Sequence, residues 1–154
     1  MDEPRFLTAA DLTEKADSLV KRYLEIHIAP GVPHNSNFVK TFQAATCLIS
    51  PALEKPTFLN VIVGSSPFEL KIGHHKLIFE QSDTAAATHL KGVIFLNFGC
   101  LSQCTLRMMT AGILEEFVHG MMNIKDEPLV RNVVSFLFPE IGTTLTGYDE
   151  REDQ

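Results

Sequence analysis

The chain has 154 residues, which is close to the commonest size of one domain and long enough to bury a hydrophobic core. Apolar residues make up 45% and charged residues 21%, a composition that excludes a chain disordered throughout its length. The net charge of −6, with only 13 scattered lysines and arginines, argues against nucleic-acid binding, because phosphate contacts need a dense basic surface. We therefore expect one domain over residues 1–154.

The sequence contains no apolar run of the roughly 18–20 residues that span a bilayer, so we expect no membrane span. Its polar N-terminus lacks the features of a signal peptide, which favours the cytoplasm, while secretion stays open if a leader has been removed. Three cysteines do not form an even disulfide framework. We favour three reduced thiols, and a Cys100–Cys104 or Cys47–Cys100 disulfide with one spare thiol stays open.

The first half of the chain begins with a helical pattern. Apolar residues between Leu12 and Leu24 recur at helical spacing, and Thr8 with Asp11 resembles a capping box at the start of a helix. Residues 38–49 are apolar but fit a helix or a strand equally well. Runs rich in β-branched and aromatic residues follow, and they predict strands over residues 58–63, 68–72, 75–80 and 92–97, with a loop over residues 82–89.

The second half is mainly helical. Residues 101–123 predict the longest helix, which is apolar on most sides and therefore central and buried. A last helix is predicted over residues 128–138, and the charged tail from about residue 149 is expected to fray. The fold class that follows is α+β, with an N-terminal helix, a small mixed sheet of three to five strands, the long central helix and a C-terminal helix.

The long helix carries an unusual group of ionisable residues. Carboxylates inside an apolar helix are costly unless they are paired, protonated or bound to a metal, and Glu115 and Glu116 stand side by side there. His119 follows Glu115 by four residues, so these two side chains share one face, and it follows Glu116 by three, which places Glu116 on the flank of that face. Such a helix can offer two ligands to a divalent metal, with a carboxylate beside them to take the proton of a water molecule.

The segment Glu115-Glu116-Phe117-Val118-His119 resembles the His-Glu-x-x-His helix of zincin-type metallopeptidases. In those folds a strand ending in Asn or a similar residue precedes the helix, as the predicted strand ending at Asn97 does here. Residues 113–127 are also similar to a little-characterised bacterial family of zincin-like peptidases, whose helix reads Glu-Glu-x-x-Gln or Glu-Glu-x-x-His. The resemblance covers about 45 residues, and the remainder of the chain agrees with this family only in the order of its elements.

The resemblance implies zinc as the cofactor, a peptide as the substrate and a role for each residue of the motif. Glu116 would be the general base, and Glu115 and His119 would be metal ligands. The third ligand would be Asp126 or Glu127, just beyond the helix, and of these we take Asp126. The sequence departs from the zincin pattern at Glu115, where an anion replaces a neutral imidazole and weakens the Lewis acidity of a bound zinc ion.

Several functions follow from these observations. We favour a degenerate zincin-like domain that acts by binding a protein partner, because the change at Glu115 alters the ligand chemistry. An active zinc-dependent peptidase with Glu116 as general base is the first alternative, and a carrier of small apolar ligands is the second. A helix-face histidine paired with surface glutamates, without a metal, is the simplest reading. Tyr148 could donate its hydroxyl to a transition state, as in some zincins, although its position near the C-terminus argues against this.

Overall fold

The computed structural model describes residues 4–65, 67–80 and 87–152. Its helices are α1 (Ala9–Thr13), α2 (Ser36–Ile49), α3 (Phe98–Leu101), α4 (Leu106–Met121) and α5 (Glu127–Leu137). Its strands are β1 (Leu24–Ile28), β2 (Leu59–Gly64), β3 (Phe68–Ile72), β4 (His75–Phe79), β5 (Ala87–Leu90), β6 (Val93–Asn97), β7 (Ile141–Thr143) and β8 (Tyr148–Glu150). Short 3₁₀ turns lie at Val20–Tyr23 and Ser50–Ala52.

Four strands form a mixed sheet in the order β1-β2-β6-β5, in which the first three are parallel and β5 is an antiparallel edge strand. Because successive side chains of a strand point to opposite faces, Val61 and Val63 join the main core while Ile62 lies on the other face. The β3–β4 hairpin covers that second face, where Leu70 packs with Ile62 and Phe95. The expected α+β class and the small mixed sheet are confirmed.

Helices α2 and α4 pack together against the first face of the sheet. The rings of Phe42 on α2 and Phe117 on α4 meet edge to face, with centroids 5.5 Å apart. Gly120 lets α4 approach β2 closely, because a β-carbon there would lie 2.6 Å from a methyl carbon of Leu59. These contacts fix α4, the helix that carries the ionisable motif, and confirm that it is central and buried.

The predicted N-terminal helix is confirmed only at its start, where Thr8 and Asp11 form the expected capping box of α1. The helix ends at Thr13, so its expected continuation to Leu24 is wrong. The carboxylate of Asp17 accepts hydrogen bonds from the backbone N–H groups of Leu19, just before the 3₁₀ turn, and Val20, its first residue, and this bonding competes with a continuous helix. Leu24 then enters β1, which pairs with β2. The ambiguous residues 38–49 are helical, within α2.

Two further expectations are corrected in the second half. The long helix predicted from residue 101 to residue 123 is wrong in its first turn. The structure has α3 ending at Leu101 and a new helix, α4, from Leu106 to Met121, which Thr105 caps by accepting from the N–H of Met108. Residues 149 and 150 do not fray but lie in β8, which pairs with β7, and Arg107 donates to the carbonyl oxygen of Arg151 at 3.0 Å. Of the predicted loop over residues 82–89, residues 82–86 lie outside the described residues, and the remainder enters β5.

Two expectations about the whole chain can be compared with the structure. No disulfide joins Cys47, Cys100 or Cys104, as the expectation of three reduced thiols required. Within the described ranges, no helix has both the length and the apolar character needed to cross a membrane.

Candidate metal centre

The candidate centre lies where α4 turns into α5. The last turns of α4 supply Glu115, Glu116 and His119, and α5 begins at Glu127. Between the helices Asn123 adopts a left-handed conformation with φ of 54°, which asparagine tolerates better than most residues. This turn folds the start of α5 back toward the end of α4, so residues on both helices can meet.

One atom each from Glu115, His119 and Glu127 lie within 4.8 Å of one another. The Nε2 atom of His119 is 3.4 Å from Oε1 of Glu127. Two ligand atoms at zinc-binding distances in a tetrahedral arrangement are separated by about 3.4 Å. The spacing of this pair therefore suits two ligands of a single metal ion, and it also allows an ion pair if the imidazole is protonated.

The imidazole of His119 is buried, and a hydrogen bond at Nδ1 fixes its orientation. Nδ1 lies 2.8 Å from the backbone carbonyl oxygen of Ile124. A carbonyl oxygen only accepts hydrogen bonds, so Nδ1 must carry the hydrogen and donate it. In the neutral ring, the lone pair is then on Nε2, which faces Glu127. A backbone carbonyl that fixes the tautomer in this way is the usual support of a metal-binding histidine.

Glu116 points into the protein beside this cluster and is only 7% exposed. Its Oε2 atom is buried and has no hydrogen-bond partner among the residues that the structure describes. Burial, with additional repulsion from Glu115 and Glu127, raises the pKa of Glu116 to about 8. Without a bound cation, this carboxyl is therefore largely protonated at neutral pH and can hold a proton next to the cluster.

Tyr148, on β8, brings a hydroxyl group to the same cluster. Burial has the largest influence on the pKa of Glu115 and raises it. The nearby Tyr148 hydroxyl has the next largest influence and lowers it. The hydroxyl oxygen is buried and makes no hydrogen bond of good geometry with the described residues. Burial and the neighbouring Glu115 raise the pKa of Tyr148 itself, so its hydroxyl remains a donor at neutral pH. Tyr148 is near the cluster although it is close to the C-terminus, because the β7–β8 pairing returns the chain to α4.

Of the two acids offered as the third ligand, the structure brings Glu127 to the cluster and not Asp126, the one we took. The carboxylate of Asp126 caps α5 and accepts the backbone N–H of Leu129 at 2.8 Å. An aspartate followed shortly by a proline, here Pro128, at the start of an apolar periodic run is a sequence signal for such a cap. That signal was present in the sequence and could have directed the ligand assignment to Glu127.

Arg131, which lies on α5 one turn after Glu127, is a further residue near the cluster that was not predicted from the sequence. Its guanidinium is near enough to lower the pKa values of Glu115 and Tyr148, as a smaller influence on each than burial. No periodic pattern distinguishes this arginine from the other basic residues of the chain. Its proximity to the cluster depends on how α5 is placed against α4.

A scan against protein-family models, a search of characterised proteins and a search of solved structures each find no match to this chain. The similarity of residues 113–127 to the zincin-like peptidases therefore remains a prediction from those residues.

Proposed function

We propose that Glu115, His119 and Glu127 bind one divalent metal ion, and that the chain is a zincin-like hydrolase acting on peptides. The main support for this proposal is the orientation of His119. Its Nδ1 is hydrogen-bonded to the backbone carbonyl of Ile124, and its Nε2 lies 3.4 Å from a carboxylate oxygen of Glu127. Two carboxylates balance the charge of a divalent cation. One imidazole with two carboxylates is a donor set suited to zinc or manganese.

Two residues beside the proposed metal site, Glu116 and Tyr148, could assist hydrolysis by transferring a proton and by donating a hydrogen bond. A bound cation would supply Lewis acidity toward a carbonyl group or a water molecule. Glu116, adjacent and sequestered from solvent, would accept a proton during attack and return it to the leaving amine. The Tyr148 hydroxyl, protonated and without a hydrogen bond of good geometry among the described residues, would donate to an oxygen on which negative charge develops.

The peptide class of substrate is supported by the edge strand of the sheet. β5 is antiparallel to β6 and lies at the end of the sheet beside α4. An extended peptide can add to such an edge through backbone hydrogen bonds, largely independently of its own sequence. A peptide held along β5 would lie alongside the helix that carries the cluster.

The proposal is tested by combining metal titration with a peptide-cleavage assay. Calorimetric titration of the chelator-treated protein with Zn²⁺ and Mn²⁺ is expected to give one site, which is weakened in Glu127→Gln. Asp126→Asn is the matched control, since asparagine caps helices as well as aspartate and should leave the site intact. Cleavage of a peptide mixture, followed by mass spectrometry, should then require the metal and be lost in Glu116→Gln. Weakening in Asp126→Asn alone, or cleavage that survives Glu116→Gln, would contradict the proposal.

A degenerate domain that binds a protein partner is the second candidate, and the surface of α5 supports it. Leu129 is 48% exposed and Phe136 is 82% exposed, and the half-buried Val133 lies between them on the same side of the helix. Exposed apolar residues aligned in this way are typical of contact surfaces. If this function holds, Leu129→Ser with Phe136→Ser should abolish the biological activity, while Glu116→Gln should leave it intact. The opposite pattern would support the hydrolase.

The apolar-ligand carrier stays a prediction. An open groove of about 440 Å³ lies at the end of α4, but Glu54 and Lys55 line it together with Met121 and Met122. This mixed lining gives the carrier hypothesis no specific support.

A further inference from the structure

Arg131 is a half-buried cation at the edge of the proposed metal site. It lies on α5 one turn beyond Glu127, so the two side chains project from neighbouring positions on one face of the helix. Its guanidinium forms no hydrogen bond and no salt bridge with the residues that the structure describes.

An arginine in this position has an unused capacity for binding. Arginine presents a planar set of donors that matches a carboxylate with two parallel hydrogen bonds. The carboxylates nearest to it, Glu115 and Glu127, are the proposed ligands of the metal ion. With the cation bound, their two negative charges would be balanced. Arg131 would then give this edge of the site a positive charge.

We propose that Arg131 binds a carboxylate of the substrate, so that the site prefers peptides presenting a carboxylate close to the bond to be cleaved. This inference rests on the proposed metal-dependent hydrolase. The carboxylate is a C-terminal carboxylate or that of an acidic side chain, since both offer the same two acceptor oxygens. Arg131 would determine substrate specificity and would not itself be a ligand of the metal ion.

The test uses small probes and a binding readout. The protein is loaded with Mn²⁺, and the paramagnetic relaxation of N-acetylphenylalanine protons is compared with that of N-acetylphenylalanine amide, which lacks only the charge. We expect the free acid to bind at least about tenfold more tightly, as a charge-assisted hydrogen-bonded pair would give. Arg131→Gln should remove that difference, and Arg131→Lys should restore part of it. Arg22→Gln, at an exposed arginine on the 3₁₀ turn, is the matched control for the change in net charge.

A third probe distinguishes the two sources of the carboxylate. N-acetylglutamic acid α-amide carries its carboxylate on the side chain, and tight binding of this probe that is lost in Arg131→Gln would assign the site to acidic side chains. Equal affinity for acid and amide would overturn the inference, as would a preference for the acid that persists in Arg131→Gln, because the carboxylate would then contact the metal or another group. Calorimetry with Mn²⁺ alone separates the two failures: if Mn²⁺ does not bind, the proposed function fails as well.

Discussion

Replacing Glu116 with glutamine should stabilise the metal-free protein, and increasingly so as pH rises. The folded protein holds this carboxyl 7% exposed, with a pKa raised from 4.5 to about 8. At a pH between these two pKa values, the Glu116 carboxyl is ionised in the unfolded chain but still protonated in the folded chain. The unfolded state then binds fewer protons, so stability falls as pH rises from about 4.5 to about 8 and becomes level above that.

The size of this effect follows from about 1.4 kcal/mol per pH unit of separation between the two states. Keeping the carboxyl neutral costs about 3 kcal/mol at pH 7 but under about 1 kcal/mol at pH 5. Glutamine has nearly the same shape and never ionises. Relative to wild type, Glu116→Gln should therefore gain about 2 kcal/mol in the free energy of unfolding between pH 5 and pH 7.

Urea unfolding at intervals from pH 5 to pH 8, with a chelator present, measures this difference. The chelator matters because a bound cation would lower the pKa of Glu116 and reduce the effect. Glu14→Gln, at an exposed glutamate just after α1, is the matched control and should show no such trend. If Glu116→Gln followed the same pH dependence as wild type, or lost stability at pH 7, the carboxyl would not be buried as a neutral acid.

Two further predictions concern the stability of the fold. Asp17→Ala should cost about 1 kcal/mol at neutral pH, because the carboxylate accepts hydrogen bonds from Ser50 and from the 3₁₀ turn. Those bonds lower the pKa of Asp17, so the difference from wild type in urea unfolding should disappear as pH falls through that pKa; a constant difference would contradict this. Gly120→Ala should lower stability by about 1–3 kcal/mol in thermal unfolding, because its methyl group would press against the fully buried Leu59. Gly147→Ala meets open space and is the control, and an equal loss in both variants would refute the packing argument.

The elements predicted best are those whose pattern is local. The strands at residues 58–63 and 92–97 and the central helix follow from runs of apolar residues, and the structure has β2, β6 and α4 there. The N-terminal region was predicted poorly because its conformation depends on distant partners. The carboxylate of Asp17 bonds to Ser50, and β1 exists through its pairing with β2.

The residues of the candidate site also differ in whether a local pattern or a distant part of the chain places them. Glu115 and His119 could be placed on one helix face, with Glu116 on its flank, from their spacing alone. The other two contributors come from outside that helix: Glu127 across a left-handed turn, and Tyr148 through β8. No sequence periodicity reports which of two adjacent acids caps a helix and which faces a neighbouring imidazole, although the proline after them was a usable signal.

The metal content of the protein tests the central claim most directly. Protein purified without chelator, supplied with Zn²⁺ or Mn²⁺ and freed of excess ion, would be measured by elemental analysis together with His119→Ala. We predict one divalent ion per wild-type chain and none in the variant, with Asp126→Asn retaining the wild-type content. A wild-type protein that retains no ion, or a His119→Ala variant that retains as much as wild type, would contradict a metal site at His119.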